Sequence, residues 1–277
     1  MQRFADLHIH TYYSDSTASP EEVIADAVKA ELSCIAITDH DVVDGVAPTA
    51  EAGRAAGIEV IAGIELSCEL DGKDVHMLGY FIDHQKSRLA ERCELFLNER
   101  VTRMKQMIAN LKAVGIGNIE FEEVAALTRS RAVGRPHLAA LLLQKKWVSS
   151  IKEAFDKYLA EDRPGYAPKF KQTPLEAIDL IHQSGGLAVM AHPMQTQKDE
   201  LISPMVKAGL DGLEVYYPNC SDTVIQFYLG LARKHKIFAT GGSDAHGKAK
   251  PHTYVGKAVI DYETVEQMKE KLETVRR

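Results

Sequence analysis

Phe4-Ala5-Asp6-Leu7-His8-Ile9-His10 alternates polar and apolar side chains from Ala5 onward. In an extended strand this period of two puts Asp6, His8 and His10 on one face and Leu7 and Ile9 on the other. A polar face within an apolar strand has two explanations: hydrogen-bonded core histidines, or a pair of imidazoles gripping one cation. The segment alone leaves both open, because His-x-His arises often by chance.

The same design recurs along the chain. Apolar runs predict strands over 4–10, 34–38, 59–64 and 75–81, separated by helices over 20–30 and 46–56, the second following the turn-prone Asp44-Gly45. From about Asn98 the pattern turns to long helical segments at 100–114, 132–146 and 151–159. After Thr173-Pro174 a helix to 184 restores the rhythm, with strands over 186–191, 212–217, 237–241 and 255–260. Strands alternating with helices predict an α/β fold with a mostly parallel sheet, and seven or eight of them suit a closed barrel better than an open sheet. The expected division is a barrel over 1–97 and 172–277, interrupted by a small helical domain over 98–171.

A chain of 277 residues with 45% hydrophobic and 26% charged residues is an ordinary globular composition, long enough for one large domain carrying an insertion. The opening Met-Gln-Arg-Phe-Ala-Asp lacks an apolar run, so the expectation is a cytoplasmic protein with no membrane association and no evident protein partner. Cys34, Cys68, Cys93 and Cys220 are widely spaced, which argues against a disulfide framework and against a thiolate zinc site. A net charge of −6 carries no overall nucleic-acid signature.

The chemistry-bearing residues fall at strand ends, where barrel enzymes place their sites. The strand over 34–38 runs into Asp39-His40-Asp41; the next ends in Gly63-Ile64-Glu65; the next contains His76. Ala188-Val189-Met190-Ala191 delivers His192, and Phe238-Ala239-Thr240-Gly241-Gly242 delivers Ser243-Asp244-Ala245-His246, with Asp244 and His246 again at spacing two. Each has a bland alternative, a surface turn or a packed histidine. A buried Glu is costly unless paired or metal-bound, and five strands ending in His, Asp or Glu point jointly to a metal site. Nitrogen and carboxylate donors without thiolate suit zinc, manganese or ferrous iron alike.

The ordered set HIH, TDHD, GIE, VHMLGY, AHP and SDAH, spanning Asp6 to His246, resembles the polymerase and histidinol phosphatase (PHP) family. The resemblance implies a distorted (β/α)7 barrel holding two or three divalent ions, Mn2+ first, with Zn2+ or Fe2+ as alternatives. By the same resemblance His8, His10, Glu65 and Asp244 hold the first ion, while Glu65 bridges to a second held by His76 and His192. Asp15, His40 and His246 hold a third; many relatives carry histidine where Asp15 stands. The attacking group would be metal-activated water, and no serine or cysteine here has the context of a nucleophile. Asp6 is expected to orient an imidazole from behind.

Between Asn98 and Lys171 stand 14 Lys and Arg against 8 Asp and Glu, a local charge of +6; the remainder carries 19 against 31, or −12. Basic helices can simply be solvated faces, or can hold a second anionic group of a substrate. Within them Val133-Gly134-Arg135-Pro136-His137 sets a guanidinium beside an imidazole at a helix start, suited either to phosphate or to capping. Arg103 and Lys105 are weaker substrate-binding candidates, and Lys169 and Lys171 read equally as linker charges.

The GRPH insertion is similar to PHP phosphatases acting on nucleotides. It implies removal of the 3′-phosphate from nucleoside 3′,5′-bisphosphates, a small nucleotide substrate. The alternatives are a 5′→3′ exoribonuclease on short 5′-phosphorylated RNA, a histidinol-phosphate phosphatase, whose cationic substrate suits a basic insertion poorly, and a non-catalytic scaffold. An exoribonuclease would need stacking platforms such as Tyr12, Tyr13, Trp147 or Tyr166.

Overall fold

The computed structural model describes residues 2–170 and 172–275. Lys171 lies outside the described residues. The chain forms two compact units, Met1–Glu91 with Lys171–Arg277, and Arg92–Phe170.

The first unit is built on one eight-stranded sheet: β1 (Phe4–Ile9), β2 (Cys34–Ile37), β3 (Glu59–Leu70), β4 (Lys73–Tyr80), β5 (Leu187–Met190), β6 (Gly212–Tyr216), β7 (Phe238–Gly241) and β8 (Ile260–Asp261), in the order β7-β6-β5-β4-β3-β2-β1-β8. Ile35 and Ile37 of β2 pack with Val23, Ile24 and Ala27 of helix Pro20–Lys29 and Val46 of helix Val46–Ala56. Cys34 and Ala36 point the other way, into a cluster with Leu7, Leu78, Tyr80, Val189 and the terminal helix Tyr262–Val275. Both strand faces are therefore apolar, as helix-covered parallel strands require. Ser19 with Glu22, and Thr173 with Glu176, form capping boxes that start helices Pro20–Lys29 and Pro174–Gln183.

Two expectations are corrected. The sheet is mixed: β3 with β4, β4 with β5 and β1 with β8 are antiparallel, against four parallel pairings. The β3–β4 reversal is made by Asp71-Gly72, both left-handed, which joins Leu70 to its partner Lys73 in a two-residue hairpin and extends β3 six residues past Ile64. The strand expected over 255–260 shrinks to Ile260–Asp261, since Gly256 adopts φ +85° and donates its N–H to Asp6.

Closure comes from beyond β7. Ala245 bridges to Ile9, and its carbonyl accepts the His10 N–H at 3.0 Å, while β8 pairs with the opposite end of β1 through Phe4 and Ala5. At Gly242 a Cβ would stand 2.3 Å from the His8 nitrogen, so only glycine permits this approach. The eight strands thus make a nearly closed barrel.

The second unit is helical among the described residues, with helices Phe121–Ala125, Arg135–Gln144 and Ile151–Ala154 and most of helix Ser87–Ala113, which starts well before the expected 100. Met104, Met107, Leu111, Leu138, Leu142 and Leu159 form its core. The expected helix over 132–146 begins only at Arg135, because Gly134 is extended. The one over 151–159 ends in a π-helical turn, Phe155–Leu159. Cys34, Cys68 and Cys93 are buried thiols and Cys220 is partly buried. No described helix is long and apolar enough to cross a membrane.

Candidate metal centre

All nine sequence-assigned candidates lie in the first unit, and five of them, all imidazoles, meet at Glu65. Its Oε2 lies 3.1 Å from His8 Nε2 and 3.2 Å from both His10 Nε2 and His40 Nδ1. Its Oε1 lies 2.8 Å from His76 Nδ1 and 3.2 Å from His192 Nε2. Asp244 Oδ1 stands 3.2 Å from His10 Nε2 and 3.5 Å from His8 Nε2, and Asp15 Oδ1 stands 3.1 Å from His246 Nε2. Three overlapping groups each bring one donor atom per residue within 4.8 Å of the others: His8, His10, Glu65 and Asp244; His10, Asp15, His40 and His246; and His40, Glu65 and His76. The first matches the expected set. The second adds His10 to the expected trio, and the third has His40 where His192 was expected, although His192 reaches the same Glu65 oxygen as His76.

The donor set fits divalent cations. Nitrogen and oxygen donors alternate around shared points with no sulfur. Among the buried ring nitrogens, His10 Nδ1 and His192 Nδ1 make no hydrogen bond, and His40 Nδ1 and His246 Nε2 have only poorly aligned carboxylate oxygens at 3.2 and 3.1 Å, a costly arrangement unless a cation or protons compensate. Burial would raise the Glu65 carboxyl, but His40, His8 and His76 outweigh it and hold it well below the usual carboxylate range. Asp244 behaves alike: burial opposes, while His8, His10 and His246 pull it down. Burial works against protonating His8 and His10, yet the carboxylates prevail, raising His8 well above its ordinary value and His10 to about 9. Burial pushes His40 down to about 3. Without metal, protons on His8 and His10 balance the acidic side chains, and a divalent cation would replace them.

Backbone conformation delivers several of these groups. His192 and Asp244 follow β5 and β7 in left-handed conformations, φ 26° and 49°, as does Asp41 after β2, φ 58°. For residues other than glycine each costs roughly 1–2 kcal/mol, and local bonds offset it. Asp41 accepts from the Ser67 N–H and hydroxyl at 2.8 and 2.9 Å, fastening the β2 exit to β3. Asp39 accepts from the Thr11 N–H and the hydroxyls of Thr11 and Ser14 at 2.6–2.7 Å, shaping the loop that carries Asp15. The His246 Nδ1–H donates to the Asp244 carbonyl at 2.8 Å, turning Nε2 towards Asp15. Tyr217 donates its hydroxyl proton to Asp244 Oδ2 at 2.8 Å.

One assignment is corrected. Asp6 does not face an imidazole: its carboxylate accepts from the backbone N–H groups of Gly256, Ser243 and His8 at 2.8, 2.9 and 3.3 Å, stitching β1 to the segments beyond β7. Burial, only partly countered by those donors, lifts its pKa to about 6. The carboxylate behind an imidazole is Glu214 on β6, 2.8 Å from His8 Nδ1, which the sequence reading missed. Its signal was present in Gly212-Leu213-Glu214-Val215-Tyr216, a carboxylate at the centre of an otherwise apolar strand.

The four substrate candidates lie in the second unit. His137 Nδ1 accepts the Gly134 N–H at 3.0 Å, so it caps the helix that Arg135 begins. The Arg135 guanidinium lies 5.8 Å from the Phe155 ring centre and reaches the Leu159 carbonyl at 3.4 Å. Arg103 donates to the Ala167 carbonyl at 2.8 Å, and Lys105 lies over the Phe121 ring.

The PHP domain profile matches residues 6–167. The 5′-3′ exoribonuclease Rnm of Escherichia coli K12 is 32% identical over 87% of this chain and 84% of its own. The 3′,5′-nucleoside bisphosphate phosphatase of Chromobacterium violaceum is 32% identical over 91% of this chain and 90% of its own. A Bifidobacterium adolescentis structure described as a metal-dependent phosphoesterase superposes with a TM-score of 0.84 at 29% identity, covering 95% of this chain and 94% of that one. With the family's profile, its barrel and a histidine–carboxylate cluster able to bind metal, the chain belongs to the PHP family of metal-dependent phosphoesterases.

Proposed function

We propose that this phosphoesterase removes the 3′-phosphate of nucleoside 3′,5′-bisphosphates, yielding 5′-mononucleotides, with two or three divalent ions, Mn2+ first. The observation that carries the reading is the meeting of five imidazoles on the two oxygens of Glu65, beside Asp244. In it His8, His10, Glu65 and Asp244 hold one ion; Glu65, His76 and His192 a second; Asp15, His40 and His246 a third. Bound ions supply Lewis acidity to a phosphoryl oxygen and to water. The chain's own groups then do the positioning: Glu65 keeps its negative charge when buried, and Tyr217 directs Asp244 by its hydroxyl. The Asp15 side chain, 44% exposed, is the most open donor and forms the rim of the site.

The substrate assignment leans on the Chromobacterium bisphosphatase, and with it Arg135 and His137 of the cationic unit are read as binding the 5′-phosphate. The equally similar Escherichia exoribonuclease favours a second reading, 5′→3′ hydrolysis of short 5′-phosphorylated RNA, which cleaves a phosphodiester rather than a monoester at the same 3′ oxygen. Manganese-loaded protein should convert adenosine 3′,5′-bisphosphate to 5′-AMP, identified by chromatography. No turnover of that compound, with stepwise shortening of a 5′-phosphorylated oligoribonucleotide, would replace the first reading by the second.

A further inference from the structure

Glu214 lies wholly buried beneath the metal centre, on β6, a strand that contributes no donor to any of the three groups. Its two oxygens face two different donors. Oε1 stands 2.8 Å from His8 Nδ1, and Oε2 accepts the His192 backbone N–H at 2.8 Å. A carboxylate only accepts, so His8 Nδ1 carries a proton and its Nε2 is the nitrogen turned towards Glu65 and Asp244, at 3.1 and 3.5 Å. At His192 the chain turns through φ 26°, and the ring makes no hydrogen bond through Nδ1, so the ring's aim depends on how its main chain is held.

We propose that Glu214 is a positioning residue: one carboxylate sets the His8 tautomer and pins the His192 turn, and thereby governs divalent-metal affinity. The proposal rests on His8 and His192 being ligands. Only an acceptor at both ends can serve both donors. In Glu214→Gln the amide oxygen can satisfy one of them. Directed at the His192 N–H, it leaves its NH2 facing His8, which must then accept at Nδ1 and carry its proton on Nε2, the nitrogen meant for metal. Directed at His8, it sets NH2 against the His192 N–H, and the strained turn loses its tether. Either way the variant keeps its shape and loses one preset ligand.

The test compares wild type, Glu214→Gln and His8→Ala by calorimetric titration with Mn2+. Imidazole nitrogen NMR of the Zn2+-loaded proteins reads the tautomer directly. The proposal expects Glu214→Gln to keep its circular dichroism and to bind one ion roughly 10- to 100-fold more weakly, the usual consequence of removing a ligand's outer partner. It also expects wild-type His8 to be protonated on Nδ1. That last reading needs no variant, so wild-type His8 found without a proton on Nδ1 would overturn the proposal even if Glu214→Gln does not fold. Unchanged Mn2+ affinity in Glu214→Gln, while His8→Ala loses an ion, would overturn the role of Glu214 alone. Full Mn2+ binding by His8→Ala would overturn the ligand assignment and the proposal with it.

Discussion

Glu65 brings together five imidazoles while fully buried, and His40, His8 and His76 outweigh burial to hold its carboxyl well below the usual carboxylate range. Glu65→Gln keeps the volume and removes the charge, and should lower metal content and cut phosphoesterase turnover by about 100-fold or more, the scale on which lost electrostatic stabilisation is felt. Metal analysis beside steady-state kinetics checks this. His10 contributes to the pH response. With its folded pKa at about 9 against 6.5 unfolded, the metal-free protein gains stability from this group below pH 6.5 and loses it as pH rises through 9. Metal binding runs the opposite way, since it must expel that proton: Mn2+ uptake at pH 7 should release protons, fading above pH 9, as calorimetry in buffers of different ionisation enthalpy would read. Arg135→Ala should raise KM for a bisphosphate about tenfold while kcat changes less, measured by initial rates. His8 and His10 were legible because spacing two in a strand obliges them to share a side, whereas Asp244 and His246 lie beyond β7, where Asp244 is left-handed. The partner of a buried carboxylate was not: Asp6 and Glu214 are both acids among apolar strand residues, and which donors meet each one depends on strands distant in sequence.

Among the elements, the β7–β1 closure has least tolerance. Gly242 lies directly against the His8 backbone, so Gly242→Ala should cost about 3 kcal/mol in urea unfolding and reduce bound Mn2+ as His8 is displaced. Strands and helices near the N-terminus were readable from periodicity and caps, with β1, β2 and helix Val46–Ala56 lying where the pattern puts them. The β3–β4 hairpin was missed although Asp71-Gly72 is a strong two-residue turn signal, because the βα rhythm on either side suggests parallel strands throughout. The break at Gly256 and the π-turn at Phe155–Leu159 leave no periodic trace; the first depends on Asp6, some 250 residues earlier.

For the whole molecule, a chelator should both abolish activity and lower the unfolding temperature by several degrees in scanning calorimetry. Each ion present at 100 times its dissociation constant adds about 2.7 kcal/mol to the folded state. An unchanged transition would mean that the cluster does not hold metal in solution. Family and barrel class were determined by sequence alone, because strand periodicity and position at strand ends are local properties that survive without coordinates; the nine residues proposed as metal ligands were singled out by the same positions. Strand direction across β3 and β4, the closure of β1 against Ala245, and the division of labour between Asp6 and Glu214 were decided only in three dimensions. Each is a hydrogen-bonding choice between segments far apart in the chain, and a buried acceptor is satisfied by whichever donors the packed fold brings within reach.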